Sequence, residues 1–335
     1  MQPVAVVGAG SWGTALAIHL ATSGHDVRLW IREPELLVAM RATGENTMFL
    51  PGFAVPPSVR PCATFEEALD GARLVVSAVP SHVTRDVMRA AAPWLDPSAT
   101  IVSATKGLEP DTLLRISEVI TEELGGGHRV VVLSGPSFAV EVARKLPTAV
   151  CAASLDAAAA EQVQEEFRSR YFRLYATDDV IGVEIGAALK NVIAIAAGVV
   201  EGLGLGHNSL SALVTRGLAE ISRLACALGG RRETLAGLSG LGDLILTCTG
   251  SLSRNRQVGV LLGQGRALPD ILAGMTMVAE GIRTTHAALA LGARHGVELP
   301  IAGQMAEVVA GRKTARIAAE DLMLRPQRGE PETRW

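Results

Sequence analysis

Cysteine is scarce: four residues in 335, Cys62, Cys151, Cys226 and Cys248. They lie far apart with no CxxC pair, which argues against a disulfide framework or a zinc site and for free thiols in a reducing compartment. No His, Cys and carboxylate cluster has metal-ligand spacing, so no metal is expected. A dominant charge is also missing. The formal net charge is −3, with basic residues dispersed along the chain, which speaks against nucleic acid as the main partner. Internal repeats are absent. No signal peptide is expected, because Val4–Val7 leads straight into a glycine-rich turn. One apolar stretch, Val180–Leu205, is long enough to raise the question of a membrane. Glu184, Lys190 and Glu201 interrupt it and Gly and Ala dominate it, so it reads as a buried helix and not a span. The expectation is a soluble, cytoplasmic protein.

What is present is apolar residue enough for two cores. Short β-rich runs alternate with helical stretches up to about residue 175. The strand candidates are Val4–Val7, Val27–Trp30, Leu74–Ala78, Thr100–Ser103, Val130–Leu133, Thr148–Ala152 and Phe172–Ala176. Several are nearly continuous apolar runs, as parallel strands covered on both faces require. From Asp178 onward Ala/Leu-rich periodic segments take over, with helices expected from Asp178–Asp179 through Glu201 and over Leu210–Leu228, Arg254–Leu262, Ile282–Arg294, Ile301–Ala310 and Ala315–Leu322. The fold class is therefore α/β. A Rossmann-type doubly wound sheet over 1–177 precedes an all-helical domain over 178–325, and a disordered tail is expected over 326–335.

Gly8, Gly10 and Gly13 give G-x-G-x-x-G spacing after a strand and before the helical run Thr14–Thr22. The first glycine permits the tight turn, the second lets backbone approach a pyrophosphate, and the third lets helix pack on strand. Ser11 and Trp12 would lie beside that pyrophosphate. At the end of the second strand stand Arg32 and Glu33: an Arg there can pair with a 2′-phosphate, an acid suits a free 2′-hydroxyl, and an ordinary solvated charge is the plain alternative for Arg32. The balance leans slightly to NADP, with NAD tolerated.

Ligands in such sheets bind beyond the carboxyl ends of the strands. Lys106, after Thr100–Ser103, and Ser134-Gly-Pro-Ser-Phe-Ala, after Val130–Leu133, both lie there, and Ser137 can N-cap the next helix. Lys190 sits in a run with almost no other polar group, where a lysine is rarely buried without reason. Desolvation and a second cation such as Lys106 would lower its pKa and suit it to proton transfer; snorkelling or pairing with Glu184 is the structural alternative. Asp243, in a Gly-rich turn, can hold a substrate hydroxyl, tune Lys190 or cap a helix. Asn191 can orient substrate or satisfy a helix end. Ser253 is expected as an N-cap, placing Arg254 and Asn255 in a first turn whose N–H groups and dipole favour a phosphate. Together these features suggest an enzyme that reduces or oxidises a small phosphorylated molecule. His82 and His207 read as loop or edge residues.

The chain resembles the bacterial NAD(P)-dependent glycerol-3-phosphate dehydrogenases over nearly its whole length. The shared motifs are Gly8-Ala-Gly-Ser-Trp-Gly-Thr-Ala-Leu-Ala, Val79-Pro-Ser-His, Ala104-Thr-Lys-Gly-Leu-Glu, Ser134-Gly-Pro-Ser-Phe-Ala, Leu189-Lys-Asn-Val-Ile-Ala-Ile-Ala-Ala-Gly, Gly240-Leu-Gly-Asp-Leu-Ile-Leu-Thr-Cys, Ser253-Arg-Asn-Arg and Val278-Ala-Glu-Gly. The resemblance implies reversible reduction of dihydroxyacetone phosphate to sn-glycerol 3-phosphate, feeding phospholipid synthesis, and a homodimer. It implies Lys190 as the proton acceptor of the oxidation direction. Lys106, Gly135, Ser137, Lys190, Asp243, Ser253, Arg254 and Asn255 are implied as substrate contacts. Ser11, Trp12, Arg32, Lys106, Ala139, Arg254, Val278 and Glu280 are implied as cofactor contacts, beside the three glycines. Ser137 stands where many relatives have Thr, which keeps the hydroxyl. Two rival readings are a dehydrogenase of similar build acting on a 3-hydroxy acid or ketopantoate, and a non-catalytic NADPH-binding sensor. Ser253-Arg-Asn-Arg after Gly-Leu-Gly-Asp speaks against the first, and the retained polar residues of the second half speak against the other.

Overall fold

The computed structural model describes residues 3–275, 279–327 and 329. Eight strands form one sheet: β1 (Val4–Val7), β2 (Val27–Trp30), β3 (Val59–Cys62), β4 (Leu74–Ser77), β5 (Thr100–Ser103), β6 (Arg129–Ser134), β7 (Thr148–Ala153) and β8 (Phe172–Thr177). Their order is β3-β2-β1-β4-β5-β6-β7-β8, parallel throughout except between β6 and β7. The chain runs outward from β1 in one direction, returns, and continues from β4 in the other. The order therefore switches at β1/β4, where Val7 lies opposite Ser77. In open α/β sheets this is the ligand-binding crevice.

Burial explains the apolar strands. β1, β4 and β5 are buried at every position. Along β1, Val4 and Val6 join one core while Ala5 and Val7 join the other, as the two-residue alternation of a strand requires. The edge strand β3 is absent from the sequence expectation. It contains Pro61, which lacks a ladder donor and is tolerated because β3 lies at the sheet's edge.

Contacts divide the chain into two units. One runs to Lys106 and resumes over Arg115–Val180; the other takes Gly107–Leu114 and the described residues from Ile181 onward. A boundary at 177/178 does not anticipate the eight-residue excursion. Its physical basis is Leu108, buried in the core of the second unit, with Leu113 packed against the same core. The second unit is helical, led by the 23-residue helix Val180–Gly202. That helix is long and apolar enough to cross a membrane, yet 89% of its apolar window is buried inside the protein. The helices Gly206–Ala227, Arg254–Gly263, Glu280–Arg294, Pro300–Val309 and Ala315–Met323 start or end within a few residues of the expected bounds. Shorter ones, Arg232–Ala236, Asp243–Thr249 and Leu268–Ala273, carry too few turns for a periodic signal. Of the expected disordered tail, residues 328 and 330–335 lie outside the described residues.

Candidate active site

The glycine turn after β1 has the geometry its spacing predicts. Gly8 adopts φ +111, and a Cβ there would lie 3.0 Å from the Ala78 carbonyl oxygen. A Cβ on Gly13 would fall 1.9 Å from the Gly8 oxygen, so helix and turn touch backbone to backbone. Gly10 differs: a Cβ there meets nothing within 4 Å, which leaves open space at the start of the Ser11–Thr22 helix. No side chain caps that start, and the Trp12 indole Nε1 is buried without a hydrogen-bond partner among the described residues. Uncapped first-turn N–H groups, an open cradle and an orphan donor fit the phosphates of a dinucleotide. At the end of β2, Arg32 donates from Nε and Nη2 to one oxygen of Glu33, at 3.0 and 2.7 Å. The Arg32 side chain stays 67% exposed and that of Glu33 24%, so the pair lies at the surface and is open to exchange.

The loops after β5 and β6 converge. Lys106 Nζ donates to the Gly135 carbonyl at 2.9 Å and approaches Ser137 Oγ at 3.4 Å, while Ser137 Oγ donates to the same carbonyl at 2.9 Å. Thr105 Oγ1 ties this segment to the Val79 carbonyl at 2.7 Å. Gly135 is required: its φ is +140, and a Cβ would press to 2.9 Å from Val150 Cα. Ser137 does not N-cap the following helix, contrary to expectation. That helix runs Ala139–Ala143 with Phe138 at the cap position and no side-chain cap. The Ser137 hydroxyl is turned back to Gly135 and Lys106 instead.

In the second unit Lys190 is buried on the Val180–Gly202 helix. It snorkels to no surface. Nζ donates to Asp243 Oδ1 at 2.5 Å and to Thr247 Oγ1 at 3.0 Å, and Thr247 Oγ1 donates to the Asp243 carbonyl at 2.6 Å. Asp243 opens the Asp243–Thr249 helix directly after the turn Leu238–Gly242. That turn needs its glycine, since a Cβ on Gly240 would sit 2.0 Å from the Leu235 oxygen. Thr247 was not singled out from sequence, although its i+4 spacing from Asp243 puts both on one helical face. Burial pushes the neighbouring Cys248 thiol up to about 12, so it stays protonated and inert.

Ser253 is the N-cap that the sequence predicts: its hydroxyl accepts the Arg256 N–H at 3.3 Å and opens the Arg254–Gly263 helix. Arg254 is half-buried. Burial draws its guanidinium pKa down and Glu280 opposes that shift, yet the Arg254 side chain makes no hydrogen bond among the described residues. A desolvated cation at a helix start suits an anionic guest. Asn255 Oδ1 accepts the Gly281 N–H at 3.0 Å and so fixes the first turn of the Glu280–Arg294 helix. Gly281 has no room for a side chain, since a Cβ would lie 2.6 Å from the Asn191 carbonyl oxygen. Arg254, Asn255, Glu280 and Asn191 are thus held in one neighbourhood. Val278 lies outside the described residues.

Two sequence families match the chain. The N-terminal domain of NAD-dependent glycerol-3-phosphate dehydrogenase covers residues 3–160, and its C-terminal domain covers residues 179–320. The chain is 56% identical to the glycerol-3-phosphate dehydrogenase [NAD(P)+] of Acidobacterium capsulatum, over 98% of this chain and 100% of that protein. The enzyme of the same name from Koribacter versatilis is 53% identical over 98% of this chain and 99% of its own. Among solved structures, the glycerol-3-phosphate dehydrogenase of Coxiella burnetii superposes with a TM-score of 0.94 at 39% identity, covering 97% of this chain and 99% of that one.

Proposed function

The chain belongs to the family of NAD-dependent glycerol-3-phosphate dehydrogenases, and from that membership we propose how its residues divide the work. It is an NAD(P)-dependent oxidoreductase that reversibly reduces dihydroxyacetone phosphate to sn-glycerol 3-phosphate and supplies glycerophospholipid synthesis. The first unit is the dinucleotide-binding domain and the second the substrate domain. Gly8, Gly10, Ser11, Trp12 and Gly13 hold the diphosphate of the cofactor, and Arg32 its adenosine ribose. Lys106, Ala139, Arg254 and Glu280 are cofactor contacts as well. When bound, the reduced nicotinamide supplies the hydride.

Lys190 supplies the proton. A ketone that receives hydride becomes an alkoxide and needs one proton at that oxygen. Asp243 and Thr247 each take an N–H of the Lys190 ammonium and so orient it. Because the Thr247 hydroxyl proton is already donated to the Asp243 carbonyl, Thr247 accepts from Lys190 and does not compete for the role. In the oxidation direction the neutral amine takes the proton back. Lys106, Gly135 and Ser137 bind substrate oxygens, Ser253 holds the helix start in shape, and Arg254 with Asn255 holds the phosphate. The buried Lys190–Asp243 pair carries this reading, since such a pair is rarely kept for stability alone. The family resemblance supports a homodimer, and four free cysteines are in keeping with the cytoplasm.

Initial rates of NADPH and NADH oxidation with dihydroxyacetone phosphate test the assignment. Lys190→Ala is expected to bind NADPH normally and to lose about 10²–10⁴-fold in kcat, the usual share of general acid–base catalysis. Near-normal turnover of that variant would remove Lys190 from the proton step. No turnover of the native enzyme with either cofactor would sink the substrate.

A further inference from the structure

The glycine turn is held from behind by a residue outside all the motifs. Asn46 lies in the loop between the Pro34–Thr43 helix and β3 and is fully buried. Its Nδ2 donates to the Ala9 carbonyl at 2.8 Å and to Thr14 Oγ1 at 2.7 Å, and its Oδ1 accepts the Phe49 N–H at 2.9 Å. Thr14 Oγ1 donates in turn to the same Ala9 carbonyl at 3.2 Å. Both amide protons are therefore engaged on the turn, and the carbonyl of the side chain anchors it to its own loop.

The consequence lies in the peptide between Ala9 and Gly10. The peptide is trans, so the Ala9 carbonyl and the Gly10 N–H point in opposite directions. Two donors draw the carbonyl inward, which turns the Gly10 N–H away from the interior. That N–H makes no hydrogen bond among the described residues, and Gly10 is the glycine whose missing side chain leaves open space. An aspartate at 46 could not replace the asparagine, because it lacks the donors and would set a buried carboxylate against a carbonyl oxygen.

We infer that Asn46 is a positioning residue for nucleotide binding, fixing the Ala9–Gly10 peptide so that its N–H faces the cofactor diphosphate. This rests on the dinucleotide reading given under Proposed function. Isothermal titration of NADPH and of NADH into the full-length native enzyme, Asn46→Ala and Thr14→Val tests it, with steady-state kinetics and thermal melts on each. Asn46→Ala is expected to raise Kd about tenfold for both cofactors, the worth of roughly one hydrogen bond to a charged diphosphate lost when the Gly10 N–H is no longer aimed. Both should weaken alike, because the diphosphate is common to them. At saturating cofactor, kcat and the KM for dihydroxyacetone phosphate should stay unchanged, a split that a merely structural residue would not produce. Thr14→Val, which removes one of the two ties to Ala9, should give a smaller rise of the same pattern and decides the matter if Asn46→Ala does not fold. Native Kd values in a folded Asn46→Ala, or in Thr14→Val where Asn46→Ala does not fold, would overturn the inference while leaving the dinucleotide site standing. Failure of the native enzyme to bind either cofactor would overturn both.

Discussion

Arg32 and Glu33 hold each other in the structure, and that single exposed ion pair carries a prediction about cofactor choice. An exposed pair contributes little to stability, so a 2′-phosphate can displace Glu33 from the guanidinium at small cost. Arg32→Ala is therefore expected to raise the KM for NADPH about tenfold or more, the loss of a charge-assisted bond, and to leave the KM for NADH within about twofold. Parallel initial-rate series with the two cofactors measure it, and an unchanged NADPH/NADH ratio would return Arg32 to the status of a solvated charge. At this scale the sequence is legible where a residue contradicts its surroundings. Lys190 is the one lysine in a long apolar run, and Arg254 follows a Ser at a helix start. Asn46 and Thr247 give no such contrast. Asn in a loop and Thr in a short helix are ordinary, and the partners that make them matter are brought by the fold: Ala9 lies 37 residues from Asn46, and Lys190 lies 57 from Thr247.

The elements that carry Lys190 and Arg254 are placed by glycine. On the Val180–Gly202 helix a Cβ at Gly198 would lie 2.0 Å from the Arg256 oxygen, and on the Arg254–Gly263 helix a Cβ at Gly259 would lie 1.9 Å from the Ile195 oxygen. The two helices therefore touch backbone to backbone, and the Arg256–Glu201 ion pair at 2.5 Å spans the same crossing. Gly259→Ala must push the helices apart. Overpacking of this kind costs about 1–3 kcal/mol, and here the displacement also moves Arg254 relative to Lys190. The expected result is a lower Tm together with a raised KM for dihydroxyacetone phosphate; a native KM would separate the crossing from the site. Long elements of this kind were legible because they repeat their pattern over several turns. The edge strand β3 and the helices of five to seven residues were not, for each is too short to establish a period, and Pro61 masks the strand further. Ser137 shows a different failure. A serine ahead of a helix reads as a cap, and nothing local reveals that Lys106 and Gly135 claim its hydroxyl.

For the molecule as a whole, the change of periodicity near residue 178 foretells a division of the chain, but neither the point where the second unit resumes, Ile181, nor the assignment of Gly107–Leu114 to that unit is readable. Leu108 is an apolar residue that either core would accept. Two buried groups, one in each unit, respond to pH with opposite signs. In the first, burial brings His19 down to about 4, with Nε2 bonded to the Phe167 carbonyl at 2.7 Å. A histidine whose folded pKa is depressed contributes stability that is present above its unfolded value of 6.5 and is lost as pH falls toward 4. In the second, burial raises Glu220 to about 7 although its carboxyl accepts the Ile301 and Ala302 N–H groups at the start of the Pro300–Val309 helix. A carboxyl whose folded pKa is raised contributes most below its unfolded value of 4.5, and that contribution falls away as pH rises through 7. Between pH 7 and pH 5 acidification thus weakens the first unit through His19 and strengthens the second through Glu220, the latter by an amount on the order of 3 kcal/mol over the full range. Glu220→Gln keeps an acceptor for the Ile301 N–H but cannot titrate. Thermal melts at pH 7 and pH 5 are expected to show a larger drop in Tm on acidification for Glu220→Gln than for the native chain, with the variant the more stable of the two at pH 7. Equal drops would mean that Glu220 is already ionised at pH 5, with the two N–H groups outweighing its burial.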